Sequence, residues 1–201
     1  MKKAIVVDWL DKYGGAERVV SSMTKIFQFE TCYTLVNIMS TKDKSLVFSN
    51  NKIKIKNSLL QLFKSKFRYL FFLFPYFIKK IKVDKSVELI ISSSFSVAKG
   101  IKKTNTNQIH ISYIQARNQR YLWDKEGIYF GRKARFLLSP ILDLLKKIDI
   151  KQASSPDYLI ANSRFVQNWI KETYKLNSEI IYPPVDVERF KLQKKKENYF
   201  V

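Results

Sequence analysis

The chain has 201 residues, 46% of them hydrophobic, with one histidine and one cysteine. That is enough apolar material for one domain with its own core, and too few Cys and His side chains for an internal disulfide or a His/Cys metal site, which fits a reducing compartment. The 37 basic and 17 acidic residues give a formal net charge of +20, which points to an anionic partner such as nucleic acid, a phosphorylated ligand or an acidic membrane face, unless the lysine excess is only a solvated surface.

The apolar run Ala4 to Val7 is cut by Asp8, unlike the core of a signal peptide. It continues through Trp9 to Gly14-Gly15 and into a segment in which Val19, Val20, Met23, Ile26 and Phe27 recur at helical spacing. The pattern predicts strand, tight glycine turn and helix. Paired glycines let a backbone approach a ligand closely, and the free N–H groups of a helix start attract an anion; tight packing alone also uses glycines there. Thr31 to Asn37 reads as a second strand with Cys32 as a buried structural thiol, 39–51 as a polar connection, and Ile53 and Ile55, alternating with lysines, as an edge strand. From Ser58 to Lys82 the side chains Leu59, Phe63, Phe67, Leu70 and Phe74 recur at helical spacing, while Lys64 and Arg68 share another face. Between Lys52 and Lys82 there are nine basic residues and no acidic one. A cation near an anionic leaflet contributes about 1 kcal/mol, so Lys64, Arg68, Lys79 and Lys80 are candidate membrane contacts; a helix that only packs its apolar stripe on the core is the alternative. The apolar stretch from Tyr69 to Ile78 is too short to span a bilayer and contains Pro75.

Val87 to Ser92 is a buried-strand run, and Ser92-Ser93-Ser94 at its end suits ligand binding or helix capping. Ile109 to Ile114 is another strand, in which His110 reads as a packed residue. The loop from Gln115 to Asp124 combines Gln115, Arg117, Arg120 and Asp124 with Tyr121 and Trp123, chemistry suited to phosphates and sugar rings. Phe136 to Ile150 reads as an apolar helix interrupted by Pro140, and Asp157 to Ala161 as a strand ending at Asn162-Ser163-Arg164. Asn162 or Ser163 is a natural N-cap; Arg164 in a first helical turn opposes the dipole, a conflict that an anionic ligand would offset. Glu179 to Tyr182 is the last strand, before Pro183-Pro184. The alternation predicts an α/β domain with a Rossmann-like, doubly wound parallel sheet and sites at the carboxyl ends of its strands. There is neither a G-x-G-x-x-G fingerprint nor a Walker A sequence.

Five stretches, in this order, resemble the N-terminal domain of the GT-B, family 4 (retaining) glycosyltransferases: Asp8-Trp9-Leu10 with Tyr13 to Arg18; Ile91 to Ser94 with Val97-Ala98-Lys99-Gly100; Arg120 to Asp124; Ala161 to Val166; and Tyr182 to Asp186 with Arg189-Phe190. The resemblance implies a two-domain enzyme that moves a sugar from a nucleotide-sugar donor to a glycan or lipid-linked acceptor with retained configuration and no metal or other cofactor. It implies donor-phosphate contacts at Gly14 and Gly15 and cleft or acceptor contacts at Asp8, Gln115, Arg117, Arg120, Asp124, Ser163 and Arg164. Two positions depart from the pattern. Gln115-Ala116-Arg117 stands where relatives often have His-Thr-Pro, and Val7 where they commonly have histidine, which leaves open a different acceptor or a weakened enzyme.

The expected organisation is an N-terminal glycosyltransferase domain over 1–190, with 191–201 as a linker and the first residues of a C-terminal half supplied in cis or in trans, without which the chain is expected to be inactive. The expected setting is cytoplasmic, peripheral on the inner face of the plasma membrane, in polysaccharide or glycolipid biosynthesis. The alternative is a non-catalytic membrane- or partner-binding module that keeps the fold. Nucleic acid is not an expected partner, since no recognised motif or base-stacking platform accompanies the charge.

Overall fold

The computed structural model describes residues 1–48, 53–117, 120–123 and 131–187. Asp124 and the expected linker at 191–201 lie outside the described residues. Seven strands, β1 (Lys2–Val7), β2 (Thr31–Thr34), β3 (Lys54–Asn57), β4 (Val87–Ser94), β5 (Ile109–Ile114), β6 (Tyr158–Ala161) and β7 (Glu179–Ile180), form one sheet in the order β3-β2-β1-β4-β5-β6-β7. Every neighbouring pair is parallel. The helices are α1 (Gly15–Phe27), α2 (Thr41–Phe48), α3 (Phe74–Lys80), α4 (Arg120–Trp123), α5 (Arg132–Ala153) and α6 (Arg164–Tyr174); a 3-10 segment, Leu59–Leu73, leads into α3. This is the Rossmann-like parallel sheet that the alternation predicts.

β1 shows why. Its Ala4 and Val6 join Tyr33, Phe67, Phe74 and Ile78 in one core cluster. Ile5 and Val7 join Val20, Cys32, Phe48 and Ile91 in another. A central parallel strand buried on both faces reads as an unbroken apolar run, as 4–7 does. Cys32 is fully buried, and burial pushes its thiol well above the ordinary range. Ile26, expected on the core face of α1, is instead 72% exposed. It borders an apolar groove of about 350 Å³ with Ile111, Ile160, Ile181 and Tyr182.

Two segments differ from their sequence pattern. The polar connection at 39–51 contains α2, whose Val47 and Phe48 are buried while Lys42 and Lys44 keep its period faint. The stretch 58–82 is not one helix. Ser58 caps a 3-10 segment by accepting from the Leu60 N–H, and Lys64 (φ 44°, ψ −126°) and Leu70 interrupt it before α3 begins. Tertiary bonds outweigh the helical period here: Gln61 grips the backbone of Asn37 through both ends of its amide, at 2.7 and 3.0 Å, and the Ser58 hydroxyl donates to Leu35 O at 2.8 Å. Lys64 and Arg68 therefore share no continuous helical face.

The serines ending β4 make ties across the sheet. Ser92 Oγ lies 2.8 Å from His110 Nε2, with both residues buried. Beyond β4, Lys99 Nζ pairs with Asp149 Oδ1 at 2.6 Å, both side chains fully buried. Asp149 Oδ2 accepts from Trp123 Nε1 at 2.9 Å and from the Tyr174 hydroxyl at 2.7 Å. One carboxylate thus joins the turn after β4 to α4, α5 and α6. A methyl group at Gly100 would meet Gln152 side-chain atoms from 2.4 Å, and Gln152 is itself fully buried. Gly100→Ala is therefore expected to lower unfolding free energy by about 1–3 kcal/mol in urea titrations.

Burial also lowers the pKa of His110 from 6.5 to about 4. The unfolded chain takes up this proton at the ordinary value while the folded chain does so only near the lower one. Stability is then fully present above the ordinary value and falls as pH drops toward the folded one. As the sole histidine, its ring NMR shift is expected to stay flat from neutral pH down to about 5.

Candidate functional site

The residue after β1 organises the site. Asp8 is fully buried, and its Oδ2 accepts from the N–H groups of Phe95 (2.7 Å) and Ser96 (2.9 Å). Its Oδ1 accepts from Val97 (2.6 Å) and Ala98 (2.7 Å). Asp8 therefore lies beneath the cleft rather than in it, correcting the expectation of a ligand contact. Its carboxylate already fills the nest of N–H groups that the turn after β4 offers. Burial raises its pKa, and the N–H groups of Phe95, Ala98 and Val97 together with Lys99 oppose that rise.

The turn it holds carries Phe95 against Trp9, edge to face, with centroids 4.6 Å apart. Phe67 and Phe74 close on the same indole at 5.5 and 5.7 Å. Arg68 stacks over it at 5.8 Å and forms an ion pair with Asp11. Arg68, expected at a membrane, thus turns toward the cleft.

α1 starts at the next bend. Gly14 is its N-cap, extended at φ −134°, and its N–H donates to Glu17 Oε2 at 3.0 Å. Neither glycine here needs a left-handed backbone. At Gly14 an added methyl group would meet the Glu17 carboxylate at 3.0 Å, whereas at Gly15 it would meet nothing within 4 Å. Burial raises the Glu17 carboxyl above its ordinary value, against the N–H groups of Glu17 and Gly14. The first turn of α1 therefore already holds one carboxylate, while Gly15 and Ala16 open onto a cavity.

That cavity, about 770 Å³, lies over the carboxyl ends of β1, β4, β5 and β6. Trp9, Phe95, Gln115 and Asn162 follow those strands in turn, Pro183 closes the far side, and Lys12, Arg18 and Arg68 add positive charge. Gln115 is held in place: its side-chain amide donates to Ser93 Oγ at 2.8 Å, and its backbone carbonyl accepts from the Asn162 side-chain amide. Ser163 caps α6, accepting from the Val166 N–H at 3.3 Å. It, Arg117 and Arg164 stand back from the cavity wall as described. Arg120 opens α4. The expected set thus divides: Gly14, Gly15 and Gln115 meet at one cavity, joined by Trp9, Asp11, Glu17 and Arg18, for which site roles were not read from the sequence, and by Arg68, which was read as a membrane contact. The Arg68 contact joins positions 57 residues apart, for which no local pattern exists. Among the described residues, no group of three or more His, Cys, Asp or Glu side chains converges to hold a metal ion, and no helix is long and apolar enough to cross a membrane.

Fold and site together define a Rossmann-like α/β domain with an open, partly cationic cavity where its strand order reverses. The sequence matches no protein-family description and no curated protein. Among solved structures, the chain is similar to Anabaena HepE in complex with UDP and glucose (TM-score 0.56, 14% identity). It is also similar to HepE in complex with UDP-glucose (TM-score 0.51, 13% identity). Each match covers 96% of this chain and 47% of HepE, so the chain spans about half of that protein's length. At this identity the likeness is one of fold.

Asp8→Asn tests the buried cage, because an amide turns a donor toward N–H groups that now have an acceptor. Loss of about 3 kcal/mol of stability in chemical denaturation is the expected outcome.

Proposed function

We propose that this domain is the acceptor-side wall of a GT-B-type glycosyltransferase that takes a nucleotide sugar as donor. The reading extends to transfer with retained configuration to a membrane-associated glycan or lipid-linked acceptor. A second domain, in the same chain or another, closes the cleft over the donor. The observation that carries this is the position of the cavity, directly over the start of α1 at the point where the strand order reverses. Its volume is on the scale of a small-molecule site. The likeness of fold to a protein solved with UDP and with UDP-glucose supports the choice of ligand class.

The chemistry follows from the groups present. A nucleoside diphosphate leaving group gathers negative charge as its bond to the sugar breaks. Gly15, with open space where a side chain would stand, lets the diphosphate approach the start of α1, whose dipole is positive there. Arg68, Lys12 and Arg18 border the same space. They supply the stabilisation that a leaving diphosphate needs, Arg68 by exchanging Asp11 for phosphate oxygens. Trp9 and Phe95 present apolar edges suited to a sugar ring.

Calorimetric titration with UDP is the direct test. Binding is expected, weakened about tenfold (about 1.4 kcal/mol) by Gly15→Val with an unchanged melting temperature, because the added side chain enters open space. Absence of binding up to about a millimolar, or equal affinity in the variant, would refute the reading.

A further inference from the structure

A second cavity gathers positive charge away from the cleft. At the end of β3, the start of the 3-10 segment and the end of α3, Lys56, Lys80 and Lys82 border a space of about 510 Å³ together with Tyr33, Leu59 and Tyr76. Lys56 Nζ stands 5.6 Å from the Tyr33 ring centroid, and Lys80 Nζ 5.3 Å from that of Tyr76. Both ammonium groups rest over ring faces, an arrangement that keeps their charge available to an incoming anion. Tyr33 is buried, and its hydroxyl accepts from the Asp84 N–H at 2.9 Å, which fixes the floor. The Asp84 carboxyl is held below its ordinary value first by the N–H and hydroxyl of Ser86, which engage its Oδ1, both at 2.9 Å, and then by Lys56.

The rim is apolar and open. Leu59 is 71% exposed and Tyr76 56%; along the same segment Leu62 is 80% and Phe63 49% exposed. The backbone is non-helical at Lys64, directly after Leu62 and Phe63. Exposed apolar side chains beside lysines, in a stretch with nine basic residues and no acidic one, match an anionic bilayer in both charge and polarity.

We propose that this surface docks on an anionic lipid bilayer, with a lipid phosphate entering the space between Lys56, Lys80 and Lys82 and with Leu62 and Phe63 lying at the acyl boundary. Arg68 takes no part, since it borders the cavity over the strand ends and pairs with Asp11. The proposal is independent of the nucleotide-sugar reading.

The test is co-sedimentation of the full chain with phosphatidylcholine vesicles, with and without phosphatidylglycerol, alongside UDP titration and circular dichroism. Binding to the phosphatidylglycerol vesicles is expected, weakening as salt rises. At roughly fivefold per lysine near the surface, the triple variant Lys56→Gln/Lys80→Gln/Lys82→Gln is expected to lose on the order of a hundredfold in partitioning. Leu62→Ser/Phe63→Ser is expected to lower partitioning without changing its salt dependence. All variants are expected to keep wild-type circular dichroism and whatever UDP affinity the parent has. Equal binding to both vesicle types, or an unaffected lysine variant, would overturn the proposal. So would displacement by inorganic phosphate at constant ionic strength, which assigns the cavity to free phosphate, or a preference for duplex DNA over vesicles.

Discussion

The reversal of strand order between β1 and β4 is the constraint on which the site depends. Chains leaving a parallel sheet on either side of such a point turn to opposite faces, so the carboxyl ends of the two strands cannot cover one another. The gap must be walled by whatever follows each strand. Here those residues are Trp9 after β1 and Phe95 after β4, edge to face at 4.6 Å. With α1 beginning a few residues later, a helix start and an aromatic wall come to the same opening. The cavity follows from topology before any side chain adds specificity.

The aromatic wall stands because a charge is buried beneath it. Four consecutive N–H groups, from Phe95 to Ala98, would be costly to bury unpaired, and the Asp8 carboxylate satisfies all of them. Asp8 is thus used for architecture, as are Lys99 and Asp149. Lys12, Arg18, Arg68 and Gln115 are among the polar groups left facing the opening, beside Asp11, Glu17 and Asn162, on which ligand chemistry can act.

The fold was legible in the sequence because its signals are local. The apolar run of β1, the alternation of strand and helix and the capping serine of α6 are each set by neighbours in the chain. Of the residues singled out for the cleft, Gly14, Gly15 and Gln115, which sit at strand-to-helix turns, are the ones the fold brings to the cavity. Asp8 was misassigned because a carboxylate after a strand looks the same whether it meets a ligand or a turn 87 residues away. Arg68 and the 58–82 stretch were misassigned for a related reason. A helical period over Leu59, Phe63 and Phe67 is real in the sequence, but the bonds of Ser58 and Gln61 to the end of β2 outweigh it. Arg68 then swings to Asp11 and Trp9, where periodicity cannot place it.

The span of the Asp8 contacts bears on the order of folding. They close loops of 87 to 90 residues, and long loops are costly to close before other contacts reward them. β1 must already lie beside β4 before the turn at 95–98 can gather around the carboxylate. A chain with its hairpin-scale contacts formed but β1 and β4 still apart would have most of its helices and no aromatic wall. Completion of the cleft wall in this domain is therefore a late event of folding, tied to the docking of two strands distant in sequence rather than to the formation of any single element.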